Sequence, residues 1–208
     1  VACLLAPPGK AGPAPPEADA CLLAEAAEAE CLNHGADRVL VLENPCFASP
    51  QADFFARVLA DAVRQDHPRL VLFALNDFGR ELAARASRIC RAGLIADCKD
   101  LRADPDGRIV GLCPGWGGRI LSEITYADGW GTGFATVQPH GRLPSPAVAP
   151  QGDVQRRPVP DPAATAGLRR VNAQPAPESQ RRLESAEIVV VGGAGLGSAR
   201  AFGRVREL

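Results

Sequence analysis

Short apolar runs alternate with helix-spaced stretches over the first half of this chain. Val1–Leu5 reads as a strand, followed by a Pro/Gly/Ala loop from Pro7 to Pro16. Glu17 to Asn33 carries Ala, Leu and Cys at helical spacing with Glu on the polar side, and Gly35 supplies a left-handed cap behind it. Arg38–Leu42 is a second strand. Ser49 as N-cap and Pro50 in the first turn predict the start of the next helix. Phe54, Phe55, Val58, Leu59 and Val63 then share one face of it. Arg69–Leu75 is apolar on both sides, as a buried parallel strand should be. Asn76-Asp77-Phe78-Gly79-Arg80 leads into a helix through Ile89 and Cys90.

A strand–helix alternation with a period of roughly 30 residues predicts the α/β class, a doubly wound and mostly parallel sheet. Right-handed crossovers place helices on both of its faces. From Gly93 the pattern changes to strands only: Leu94–Leu101, Arg108–Cys113, Arg119–Tyr126 and Phe134–Gln138, with Gly-, Asp- and Pro-rich turns between them. They predict antiparallel strands at the edge of the sheet. Nine prolines between Pro139 and Pro177 predict a linker or wrapping arm. Glu187–Val191 then reads as an apolar strand, followed by a glycine turn and a helix beginning near Ser198. The expected organisation is an α/β domain over 1–138, a Pro-rich arm over 139–184, and the first strand–turn–helix of a Rossmann-like domain over 185–208.

The glycine turn carries the candidate chemistry. Within Gly192-Gly193-Ala194-Gly195-Leu196-Gly197-Ser198, Gly193 and Gly195 fit the G-x-G-x-x-G pattern, and Ser198 is a small residue in its third place. One glycine allows the tight turn and another lets the backbone approach a pyrophosphate. The following helix start offers free N–H groups and the positive end of a dipole. Glycine-rich strand-to-helix turns also serve packing alone, so both readings stand at this point. The acidic residue expected some 20 positions beyond such a turn has no place in a chain with ten residues after Ser198.

Composition narrows the partners. A net charge of -1 argues against a broad nucleic-acid surface. No apolar run approaches the roughly 18 residues of a membrane span, and Val1–Ala6 is too short for a signal segment. Val1–Leu5 is expected to be an internal strand whose upstream neighbour is missing. Two lysines, Lys10 and Lys99, stand among 23 basic residues, a skew toward arginine that suggests a GC-rich bacterial source. Seven cysteines without a C-x-x-C fit buried thiols in a reducing cytoplasm. His34, His67 and His140 have no cysteine at metal-ligand spacing, so no metal site is expected.

Two further groups of residues stand out. Arg80-Glu81-Leu82-Ala83-Ala84-Arg85 could bring cations to the carboxyl edge of the sheet, although ordinary surface arginines are the simpler reading. Trp116, Tyr126 and Trp130 suit core packing or a partner surface better than a cofactor box. No nucleophile–base pair is evident, since Ser122 and Glu123 are strand neighbours that face opposite ways.

Six segments, in order, resemble the alpha subunit of electron-transfer flavoproteins. They are Gly35–Val41, Gly79–Arg85, Gly93–Cys98, Trp116–Arg119, Phe134–Pro139, and Ala186–Ser198 with Phe202. The resemblance implies an alpha/beta heterodimer carrying FAD, with the cofactor-binding contribution of this chain at Gly192, Gly193, Ala194, Gly195, Gly197 and Ser198. It implies an electron carrier rather than a substrate-transforming enzyme. Electrons would come from dehydrogenases of the acyl-CoA or methylated-amine type and pass to a membrane quinone oxidoreductase. The carrier would be a bacterial cytoplasmic protein, not itself embedded in the membrane. The chain departs from the family's Gly-Gly-Arg-Gly at Ala194, which lacks the arginine that usually contributes to the FAD site. On this resemblance the chain is expected to be truncated at both ends, short of one strand and helix before Val1 and of most of the FAD domain after Leu208. Two other readings remain open: part of an NAD(P)-dependent Rossmann oxidoreductase beginning at Glu187, and a structural subunit-interface module without cofactor.

Overall fold

The computed structural model describes residues 2–6, 18–48, 51–138, 152–160, 171–172 and 186–207. The chain divides into two compact units, Val1–Leu168 and Arg169–Leu208.

In the first unit, strands β1 (Ala2–Ala6), β2 (Arg38–Glu43), β3 (Leu70–Ala74) and β4 (Gly93–Cys98) alternate with helices α1 (Ala18–Asn33), α2 (Ala52–Asp66) and α3 (Asp77–Cys90). The antiparallel strands β5 (Asp100–Ala103), β6 (Ile109–Gly115) and β7 (Ile120–Thr125) follow, then β8 (Gly133–Val137) and β9 (Asp153–Pro158). Three sheets result, in the orders β1-β2-β9, β3-β8-β4 and β5-β6-β7. The first two are parallel and the third is antiparallel.

Strand β2 shows why the fold is doubly wound. Its side chains alternate between faces. Val39 and Val41 are fully buried in a cluster with Cys31, Leu32 and Ala36, from α1 and the turn after it. Leu40 and Leu42 point the other way, into the main core with Phe54, Phe55, Val58, Leu59 and Val63 of α2. Helix α2 places these apolar residues at spacings of one, three and four, which collects them on one stripe. Phe47, Phe54, Phe55 and Phe78 pack edge-on or stacked around the same core, with ring centroids 4.9 to 6.3 Å apart.

The three longer helices all end in left-handed residues, and only one uses glycine. After α1, the Ala36 N–H donates to the Cys31 carbonyl and the Gly35 N–H to that of Leu32, with Gly35 at φ 91°. This is the Schellman arrangement expected of that glycine. The same pair of bonds follows α3, from Ala92 to Ser87 and from Arg91 to Arg88, but the left-handed residue is Arg91. Helix α2 ends on left-handed His67. At the other end of α2 the cap is Gln51, with no side-chain hydrogen bond; the expected cap Ser49 and Pro50 lie outside the described residues.

The structure corrects four expectations. Leu94–Leu101 is not one strand. A bulge between Ile95 and Cys98, with Asp97 at φ 60°, ends β4, and the chain turns into β5. The Asp97 N–H donates to Thr136 Oγ1 at 2.8 Å, so the displaced backbone group stays satisfied. Second, Phe134–Val137 is not an antiparallel edge. It is the central strand β8, parallel to both β3 and β4, with Phe134 and Ala135 fully buried. A run of apolar residues does not encode strand direction; the choice follows from the buried slot between β3 and β4. Third, the Pro-rich arm is not wholly a linker. Asp153–Pro158 pairs parallel with β2. Arg156 holds it there, binding both Glu28 carboxylate oxygens at 2.9 and 2.8 Å and Glu43 at 3.0 Å. Its proline, Pro158, falls at the end of the strand, on a sheet edge where a missing N–H is tolerated. Fourth, Glu187–Val191 does not form a strand. A strand needs a neighbour to take its backbone hydrogen bonds, and no described strand pairs with this run.

Candidate functional site: the glycine turn and an exposed strand

The second unit is built around the glycine turn. Ile188 and Val191 approach it almost wholly exposed, at 83% and 82%. Gly193 is extended at φ −126° and ψ −171°. Ala194–Leu196 makes a 3-10 turn in which the Leu196 N–H donates to the Gly193 carbonyl and the Gly197 N–H to that of Ala194, both at 3.0 Å. Ser198, also extended, precedes a second 3-10 turn at Ala199–Ala201, which runs into the short helix α4 (Phe202–Arg206). The expected helix from Ser198 is therefore a 3-10 turn followed by five helical residues.

The glycines serve different ends. A Cβ on Gly192 would come within 2.9 Å of Leu196 Cδ1 and 3.1 Å of Phe202 Cε1, so Gly192 allows those side chains to close over the turn. Gly197 sits at φ 73°, where only glycine is free of strain. Gly193 and Gly195 have neither reason: nothing lies within 4 Å of a Cβ built on either, and neither has positive φ. They leave an open backbone surface beside the first residues of a 3-10 turn, whose leading N–H groups have no acceptor within the turn. Such a surface fits a pyrophosphate approaching the main chain. The site offers it backbone donors but no cation at Ala194, and Ser198 makes no side-chain capping bond.

The arginines after β3 are not assembled into a site. Asn76 caps α3 by accepting from the Gly79 N–H at 2.7 Å. Gly79 is required because a Cβ there would sit on the Ala74 carbonyl oxygen. Arg80 pairs with Asp97 at 3.3 Å and Arg85 with Glu81 at 2.7 Å, all four side chains being well exposed. Both arginines are therefore neutralised by surface carboxylates, as the simpler reading expected. Among the described residues, no group of three or more His, Cys, Asp or Glu is placed to hold a metal ion.

The aromatic residues separate into two kinds. Tyr126 is half-buried, and its hydroxyl donates to the Phe134 carbonyl at 2.6 Å. Burial pushes its pKa well above the usual phenol value. Trp116, at φ 52° in the turn between β6 and β7, is 85% exposed. Next to it, every residue of β7 is exposed, including Ile120, Leu121 and Ile124 at 49%, 52% and 42%. An edge strand that pairs only with β6 among the described residues, with exposed apolar residues on both faces, is a candidate interaction surface. The signal was present in the sequence: Ile120 and Leu121 are adjacent, which an alternating half-buried strand would not allow.

Comparison with known proteins gives these features a context. The model of the electron transfer flavoprotein domain matches residues 16–166. Protein FixB of Azorhizobium caulinodans is 32% identical over 186 residues, covering 88% of this chain and 50% of that protein. The electron transfer flavoprotein subunit alpha of Megasphaera elsdenii is 28% identical over 188 residues, covering 83% and 52% respectively. Protein FixB of Rhizobium meliloti is 29% identical over 209 residues, covering 99% of this chain and 55% of that protein. The chain thus spans about half the length of the relatives it matches.

Proposed function

The chain belongs to the electron transfer flavoprotein family, and from that membership we propose that it is part of the alpha subunit of an FAD-containing carrier that moves electrons between other proteins. The carrier, in the bacterial cytoplasm, takes electrons from a dehydrogenase and delivers them to a membrane quinone oxidoreductase. FAD, when bound, supplies the redox chemistry; the protein holds and orients it. In this reading residues 1–138 serve assembly with a beta subunit and residues 185–208 open the FAD domain. The backbone at Gly193, Ala194 and Gly195, with Ser198 at the following turn, would meet the pyrophosphate. Gly192 and Gly197 hold the turn in shape. Since Ala194 brings no cation, anion binding here rests on N–H groups and on residues elsewhere in the complex.

The observation that carries the assembly role is β7. An exposed strand bearing Ile120, Leu121 and Ile124, flanked by Trp116, is a surface that another chain covers. The beta subunit is the partner that the family supplies. No described helix is long and apolar enough to cross a membrane.

The test is co-expression of the complete reading frame with its beta-subunit reading frame. The expected product is a yellow complex with a flavin absorption spectrum, and Leu121→Asp with Ile124→Asp should abolish co-purification of the two subunits. A colourless complex that ignores added FAD would refute the carrier reading. The 208-residue chain alone is expected to retain no stoichiometric FAD.

A further inference from the structure

Helices α2 and α3 end where strands β3, β4 and β8 begin, and a cavity of about 330 Å³ opens there, within the first unit. That volume is at the small end of the roughly 300–1,000 Å³ typical of small-ligand sites. Arg64 and His67 come from the end of α2, Arg91 from the end of α3, and Trp130 and Thr132 from the loop between β7 and β8. Among the described residues no carboxylate lines it.

The helix ends supply positive charge in an unusual way. Of the three left-handed helix caps, the one outside the cavity is glycine, Gly35, and the two that line it are His67 and Arg91. Glycine costs least at such a position, so His67 and Arg91 keep their side chains there against the backbone preference. Strain of this kind gathers at binding sites. Free carbonyls at helix ends would repel an anion, but here they are occupied. The Val63 carbonyl accepts from the His67 N–H, those of Ser87 and Arg88 from the Ala92 and Arg91 N–H groups, and that of Ile89 from Arg64 Nη2 at 3.2 Å. Asp61 holds Arg64 at 2.7 Å. Arg91 has no ion pair among the described residues.

The loop adds an aromatic wall. Trp130 is 48% exposed, yet its position is fixed. Its backbone N–H donates to the Ala127 carbonyl, and its ring nitrogen lies 3.5 Å from where a Cβ on Gly93 would stand. The Thr132 hydroxyl ties the loop to the Pro68 carbonyl at 2.7 Å. A half-exposed indole beside an unshared guanidinium offers a flat stacking surface next to positive charge.

We propose that this cavity binds a small planar aromatic anion of the nucleoside monophosphate class, with its ring stacked on Trp130 and its phosphate held by Arg91 together with His67 and Arg64. Stacking on an indole tolerates different bases, and a guanidinium matches phosphate oxygens through its fork of donors. The glycine turn belongs to the second unit and contributes none of these residues.

The test is isothermal titration calorimetry of the 208-residue chain with adenosine monophosphate, inorganic phosphate and adenosine. The monophosphate should bind at one per chain. Phosphate and adenosine should each bind at least about tenfold more weakly, since neither makes both contacts. Arg91→Gly removes the charge and installs the residue that the backbone favours, so the thermal midpoint should hold while affinity falls about tenfold. Trp130→Leu should cost a similar factor, and Trp130→Tyr should restore most of it. In a Trp116→Phe background the monophosphate should quench the fluorescence of the remaining indole, Trp130. An absence of saturable binding would overturn the proposal. So would phosphate binding as tightly as the monophosphate, which marks a plain anion site. Binding that survives both Arg91→Gly and Trp130→Leu would assign the nucleotide to the glycine turn and overturn the proposal as well.

Discussion

Replacing Arg156 by Met tests whether the Pro-rich segment is held to the sheet by charge. Arg156 lies on β9, and its guanidinium joins Glu28 of α1 and Glu43 of β2. The Glu28 side chain is 9% exposed and that of Glu43 19%, whereas Arg156 is 45% exposed. A fully exposed pair contributes about 0.2–1 kcal/mol, and breaking a buried pair costs about 3–5 kcal/mol. Here the carboxylate left behind is nearly buried, while the cation is half in water. An intermediate loss of about 2 kcal/mol is expected, or roughly 4–8 °C in Tm for a chain of this size. Met keeps much of the stem's packing, so the loss reports the charge. Urea unfolding is the appropriate assay, since guanidinium would screen the pair. In a double-mutant cycle with Glu28→Gln the two changes should be strongly non-additive. A loss below about 0.5 kcal/mol with no coupling would show that β9 is held by its backbone ladder alone.

Three other outcomes follow from the packing. Phe134→Ala removes a fully buried ring that stacks on Phe73 at 6.0 Å, and urea unfolding should show a loss of about 3–5 kcal/mol. Gly133→Ala places a Cβ against the Tyr126 ring, so it should destabilise by about 1–3 kcal/mol. Combining it with Tyr126→Leu should relieve part of that loss. Burial, with the Cys113 thiol at 3.8 Å, raises Cys98 from about 9 to about 12. The unfolded chain therefore releases this proton first as pH rises. The contribution of the neutral thiol is full below about pH 9 and declines from there to about pH 12. Urea midpoints measured between pH 8 and 10.5 should fall less steeply for Cys98→Ala than for the parent; parallel curves would contradict the assigned burial.

Particular residues show what a sequence reveals and what it withholds. The strand at Arg38–Leu42 and the stripe from Phe54 to Val63 are local patterns, and both formed as read because period is set within one element. Gly35 also adopted its cap, since a left-handed residue is a local matter. Partnership is not local. The sequence determined that Phe134–Val137 is an extended apolar run; the tertiary structure decided that it lies parallel at the centre of a sheet, because that slot gives both edges a hydrogen-bonding neighbour. Proline content marked 139–184 as irregular, whereas Arg156 and the free edge of β2 drew Asp153–Pro158 into a ladder. Glu187–Val191 shows the converse: a strand pattern without a partner stays unpaired. For the glycine turn, the sequence determined where flexible residues stand, and the structure sorted them by physical need. Gly192 is fixed by the side chains packed beside it, Gly197 by its dihedral angle, while Gly193 and Gly195 are left facing open space.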